Sequence, residues 1–137
     1  MDLKAIKDVV MTKVLAVDDD RGVLQIISQL LRLEGHKVLT ANDGLEALEV
    51  LSGEKVGLMI LDLQMPNLDG RETFLAARRS GYDGPVLILS SFGARTAAKE
   101  LGAEGALEKP FDPENLCAAV ETLGAFDMRH APPPVEN

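Results

Sequence analysis

The stretch Leu58-Met59-Ile60-Leu61-Asp62-Leu63-Gln64-Met65-Pro66-Asn67-Leu68-Asp69-Gly70 reads as a strand feeding a helix. The apolar run 58–61 has no polar alternation, which fits a strand covered on both faces. Asp62 ends the run. Pro66 sits in the connecting loop, where its missing N–H is tolerated. Asp69 stands three residues before Glu72, the spacing of a capping box at the start of a helix. A buried strand joined by a short loop to a capped helix is the unit from which parallel α/β sheets are built.

The same unit recurs on both sides. Upstream, Val14-Leu15-Ala16-Val17 ends in Asp18-Asp19-Asp20, and Val23, Ile26, Ile27, Leu30 and Leu31 then fall at helical spacing. Gly35 is placed as a helix C-terminal glycine. Val38-Leu39-Thr40-Ala41 reads as a second strand. Asp43 and Glu46 form another capping box, Leu45, Leu48 and Leu51 are expected on the core side, and Gly53 ends that helix. Downstream, Val86-Leu87-Ile88-Leu89 ends in Ser90-Ser91, and a short helix carries Ala94, Ala97, Ala98 and Leu101. A weak fifth strand, Ala106-Leu107, runs into Glu108-Lys109-Pro110. Asp112-Pro113 opens a last helix with Leu116, Val120 and Leu123 as its apolar stripe.

This alternation predicts a single α/β domain: a doubly wound, five-stranded parallel sheet with helices on both faces and right-handed crossovers. The expected domain runs over 13–124. Residues 1–12 form an N-terminal extension, which reads equally as a short amphipathic arm or as sequence ahead of a later start at Met11. Residues 125–137, with Pro132-Pro133-Pro134, read as a flexible C-terminal tail.

The 137 residues carry 14 basic and 22 acidic side chains, a net charge of −8. That balance opposes direct nucleic-acid binding, which needs a basic surface. No apolar run approaches the ~18 residues needed to span a bilayer, so no membrane insertion is expected. The single cysteine, Cys117, excludes an internal disulfide and a cysteine-rich zinc site. The opening residues do not read as a secretory leader, and a cytoplasmic location is expected.

Ligands of open parallel sheets bind at the carboxyl ends of the strands. Here those ends carry Asp18 and Asp19, Asp62, Ser90 and Ser91, and Lys109. An acid after a strand is commonly a turn or cap residue, and Asp20 and Asp69 are expected to be so. The others can converge, because neighbouring strands lie ~4.8 Å apart. Carboxylates brought together repel unless a cation sits among them, and oxygen ligands suit a hard ion such as Mg²⁺. A lysine and a hydroxyl beside that ion make a cradle for a phosphoryl group, and a carboxylate can serve as its nucleophile. His36 and His130 are expected to be solvent or turn residues, and Cys117, Met59 and Met65 packing residues.

The ordered set resembles the receiver domains of two-component response regulators, which are CheY-like. The matching residues are Val17-Asp18-Asp19-Asp20, Asn42-Asp43-Gly44-Leu45-Glu46-Ala47-Leu48, Asp62 through Gly70, Ser90 and Lys109-Pro110-Phe111. The resemblance implies the flavodoxin-like strand order 2-1-3-4-5. It implies Asp62 as phosphoacceptor, with Asp18, Asp19, Asp62 and the Gln64 carbonyl as Mg²⁺ ligands. Lys109 would pair with the phosphoryl oxygens, Ser90 would hydrogen-bond to the group, the small Ser91 would leave it accessible, and Pro110 would follow a cis peptide. The implied phosphodonor is a histidine kinase or a histidine phosphotransfer protein, and the implied output is a conformational switch read by a downstream protein. Such a chain is a signalling domain rather than an enzyme, with self-phosphorylation and slow autodephosphorylation expected.

One position departs from the family. Three residues before the lysine the family commonly has an aromatic side chain, and here that position is Ala106. Three other readings stand beside this one. The chain could be the receiver segment of a longer regulator, its Pro-rich end a linker. Asp18-Asp19-Asp20 also fits the D-x-D motif of a haloacid dehalogenase-type phosphatase, although no acidic pair follows a further strand after Lys109. A scaffold with an inert acidic pocket is the third.

Overall fold

The computed structural model describes residues 11–65 and 68–130. Five strands are present: β1 (Lys13–Val17), β2 (Lys37–Ala41), β3 (Leu58–Asp62), β4 (Val86–Ser90) and β5 (Gly105–Glu108). They alternate with α1 (Arg21–Leu33), α2 (Gly44–Gly53), α3 (Gly70–Arg79), α4 (Ala94–Leu101) and α5 (Pro113–His130). The sheet is parallel throughout, in the order β2-β1-β3-β4-β5. The order reverses after β1, so β1 and β3 meet where the two halves of the winding diverge. This is the switch point at which such sheets bind ligands.

Alternate residues of the central strands enter separate cores. Leu15, Val17, Met59, Leu61, Val86 and Ile88 pack with Ala47 of α2, Phe74 and Ala77 of α3, and Ala94 and Ala98 of α4. Val14, Ala16, Leu58, Ile60, Leu87 and Leu89 pack with Leu24, Ile27 and Leu31 of α1 and Leu116, Val120 and Leu123 of α5. Both faces are therefore dry, which explains the unbroken apolar runs. β5 differs: it lies at the sheet edge and none of its residues is fully buried.

Two expected core positions turn outward. Ile26 and Leu45 are exposed. In α1 the buried arc is Leu24, Ile27, Ser28 and Leu31, with Val23 and Leu30 on its flanks. In α2 the buried residues are Gly44 and Ala47, small enough to bring the helix against α3. A Cβ on Gly44 would lie 2.0 Å from Thr73 Oγ1, so this approach requires glycine.

The cap residues behave as their spacing predicts. Asp20 accepts from the Gly22 and Val23 N–H groups, Asp43 from Glu46 and Asp69 from Glu72. Gly35, at φ +97°, closes α1 with a Schellman pair: His36 N–H donates to Leu31 O and Gly35 N–H to Arg32 O.

His36 corrects the sequence reading. It is 7% exposed, and its Nδ1 accepts the Thr12 N–H at 3.1 Å, tying the chain before β1 to the start of β2. Burial pushes its pKa below the ordinary imidazole value, while Glu121 and Glu34 pull the other way. His130 belongs to α5, which continues past Gly124 to include the first residues of the expected tail. The remainder of that tail, and the extension up to Val10, lie outside the described residues. No helix among the described residues is long and apolar enough to cross a membrane.

Candidate phosphoryl and metal site

Four side chains come together at the carboxyl edge of the sheet because four strands end there. Asp18 follows β1, Asp62 closes β3, Ser90 closes β4 and Lys109 follows β5. Asp18, Asp62 and Ser90 are essentially buried, whereas Asp19 faces solvent. β3 is held close to α3 at this point: a Cβ on Gly70 would lie 2.4 Å from the Asp62 carbonyl oxygen. The glycine of the Asp69-Gly70 pair therefore keeps the helix start against the strand end.

Lys109 Nζ lies 2.8 Å from Asp18 Oδ2 and 3.2 Å from Asp62 Oδ1. Asp18 Oδ1 accepts the Asp20 N–H at 2.9 Å. Asp18 Oδ2 is buried and faces that ammonium as its partner. Asp18, Asp19 and Asp62 each offer an oxygen, all within 4.8 Å of one another. One ammonium cannot balance three carboxylates at this spacing.

Burial, reinforced by the charge of Asp18, raises the Asp62 pKa to about 6, with Lys109 opposing the rise. Burial lowers the Lys109 pKa, but its hydrogen bond and ion pair with Asp18, then those with Asp62, outweigh this and hold the ammonium above its ordinary value. At neutral pH the pocket is thus anionic with one fixed cation. The oxygen-only donor set and the surplus of negative charge fit a hard divalent cation.

Gln64 lies at the rim. Its N–H points at Asp62 Oδ1 from 3.4 Å, its Nε2 donates to Ser90 Oγ at 3.3 Å, and its Oε1 accepts the Ser91 N–H at 3.5 Å. Ser90 Oγ donates to the Phe92 carbonyl at 2.8 Å. The Lys109–Pro110 peptide is cis. Beside Ser90 opens a cleft of about 450 Å³, lined in part by Leu63, Gln64, Phe92 and Ala97. Phe92 is 76% exposed at its edge.

The geometry therefore gathers Asp18, Asp19, Asp62, Ser90, Lys109 and Gln64. Asp20 and Asp69 remain helix caps, as expected. The capping role of Asp20 also weakens the phosphatase reading, because the second acid of the D-x-D motif is committed to α1. Two features escape sequence reading. One is the side-chain bridge from Gln64 to Ser90 and Ser91. The other is Glu108, whose Oε2 accepts the Gly93 N–H at 3.0 Å. Its only local signal is its place immediately before Lys109.

Comparison with known proteins gives one answer. The model of the family described as the response regulator receiver domain matches residues 14–121. The response regulator MprA of Mycobacterium leprae is 40% identical over 114 residues, covering 81% of this chain and 50% of that protein. The chain spans about half the length of the curated relatives it matches. Among solved structures, the chemotaxis protein CheY4 of Vibrio cholerae superposes with a TM-score of 0.76 at 36% identity, covering 82% of this chain and 98% of that one. The receiver domain of the Francisella response regulator 1452 gives 0.78 at 30% identity, over 84% and 98%.

Proposed function

Because this chain belongs to the response regulator receiver domain family, we propose that it takes a phosphoryl group onto Asp62 and signals by a change in the loop after β4. The observation that carries this reading is the setting of Asp62. It is a buried carboxylate at the end of a central strand, flanked by Asp18 on one side and touched by Lys109 on the other.

The donor is a histidine kinase or a histidine phosphotransfer protein, met on the cytoplasmic side. An Asp62 carboxylate oxygen attacks phosphorus, the new O–P bond forms as the N–P bond to the donor imidazole breaks, and the imidazole leaves with the bonding pair and takes up a proton. Asp18, Asp19, Asp62 and the Gln64 carbonyl would hold Mg²⁺, which supplies charge neutralisation for the phosphoryl oxygens when bound. Lys109 turns its ammonium from the carboxylates towards those oxygens. Ser90 gives its hydroxyl proton to the phosphoryl group in place of the Phe92 carbonyl. Ala106 has no ring to swing, so the moving parts are the Ser90-Ser91-Phe92-Gly93 loop and the exposed Phe92 ring. A downstream protein reads that surface.

The test is incubation of the chain with a small phosphodonor and Mg²⁺. A base-labile, hydroxylamine-sensitive acyl phosphate is expected in the wild type and none in Asp62→Asn. Undiminished labelling of that variant overturns the assignment.

A further inference from the structure

We propose that Glu108 is a latch that holds the loop after β4 in its unphosphorylated arrangement, and so sets how readily the site accepts a phosphoryl group. The inference rests on the reading of Asp62 as phosphoacceptor. Its starting point is how helices begin in this fold. Asp20, Asp43 and Asp69 cap α1, α2 and α3 from the adjoining position. α4 has no such cap: its N-cap is Gly93, at φ +73°, and no acid lies in its first turn. The free N–H at that point is taken by a distant residue, Glu108 at the end of β5.

Three hydrogen bonds tie this region together. Lys109 N–H donates to Ser90 O at 2.8 Å, Glu108 Oε2 accepts from Gly93 N–H at 3.0 Å, and Ser90 Oγ donates to Phe92 O at 2.8 Å. Ser90 and Glu108 are also partners in the β4–β5 register. For Ser90 to serve the phosphoryl group, its hydroxyl must leave Phe92 O. Phe92 precedes Gly93, so a loop that follows Ser90 strains the bond from Gly93 to Glu108. Residues 106 and 108 share one face of β5, since side chains alternate along a strand. Where Ala106 offers no bulk for coupling β5 to the loop, Glu108 couples them by a carboxylate–amide bond two residues further on.

The latch favours one of two arrangements, and removing it shifts the population towards the other by the stabilisation lost. For an exposed carboxylate on a helix-start N–H the factor is roughly two- to tenfold. Glu108 is thus a positioning residue that touches neither metal nor phosphoryl group.

The experiment uses the whole chain as wild type, Glu108→Ala and Glu108→Gln. Amide exchange at residues 93–97 is measured without phosphodonor, and the apparent affinity for beryllium fluoride is measured with Mg²⁺ as a phosphoryl mimic. In Glu108→Ala, exchange at Gly93 is expected to quicken and the mimic to bind more tightly, each by roughly two- to tenfold. Glu108→Gln, which keeps a neutral acceptor, is expected between the two. Unchanged exchange at Gly93, or mimic affinity that is unchanged or weaker, overturns the latch while wild-type binding of the mimic leaves the Asp62 reading standing. If the wild type itself neither binds the mimic nor forms an acyl phosphate, the Asp62 reading falls and the role of the latch falls with it.

Discussion

The two sides of the site are built differently. β1 and β3 lie inside the sheet with β3 buried along its whole length, and they deliver Asp18 and Asp62 from a frame closed on both faces. β5 lies at the edge without a fully buried residue, and it delivers Lys109 next to a helix that starts from a left-handed glycine. Local opening is cheapest where few apolar contacts are lost. The centre is therefore suited to fixed chemistry and the edge to response. Under the proposed function, phosphorylation of Asp62 would place new charge at the join between them, where it would bias the edge without deforming the centre.

The contrast can be broken by substitution. Ile60→Ala, at a fully buried site in β3, is expected to cost about 2–5 kcal/mol of unfolding free energy, the usual range for core truncation. Leu107→Ala, half-buried in β5, is expected to cost about 1 kcal/mol, in line with its partial burial. Urea denaturation of both variants gives the comparison directly, and equal losses would remove the distinction between frame and edge.

A second pair separates chemistry from response. If Asp19 holds Mg²⁺ as proposed, Asp19→Asn is expected to weaken Mg²⁺ binding by about tenfold, or about 1.4 kcal/mol, by removing that ligand and its charge. It is also expected to raise the stability of the metal-free chain slightly, by relieving repulsion among the three acids. Phe92→Ala is expected to leave Mg²⁺ binding and acyl phosphate formation unchanged while weakening capture of the downstream partner. Titration calorimetry with Mg²⁺ distinguishes the two variants.

The smallest effect belongs to the opposite end of the sheet. The His36 pKa is lowered in the folded state, so the unfolded chain binds the proton more readily. Its contribution to stability is complete above the ordinary value of 6.5 and is lost as the pH falls through the lowered folded value. Unfolding midpoints at pH 7.5 and about pH 5.5 should therefore differ more for wild type than for His36→Gln, by about 1 kcal/mol or less. An equal pH response in both proteins contradicts the role given to His36.

What was legible in the sequence follows the same division. The apolar runs of β1, β3 and β4 announce a doubly covered sheet because burial on both faces leaves no polar alternation. Asp43 and Asp69 announce helix starts because an N-cap bond spans only three residues. The carboxyl-end acids and Lys109 were visible as a set, although their pairing distances depend on strand order. Ile26 turns outward although its spacing predicts burial, because apolar residues surround much of α1 and spacing alone does not choose the buried arc. Burial of His36 depends on its docking against Thr12, and the Glu108–Gly93 bond joins residues 15 apart in sequence. Neither leaves a periodic trace in the chain.

The most direct test of the division is residue-resolved amide NMR of the whole chain with Mg²⁺, before and after addition of beryllium fluoride. Large shifts are expected at residues 90–101 and 105–109, with the interior residues 14–16 and 58–60 nearly unmoved. Changes spread evenly over β1 and β3, or a loop after β4 that does not respond, would contradict that division.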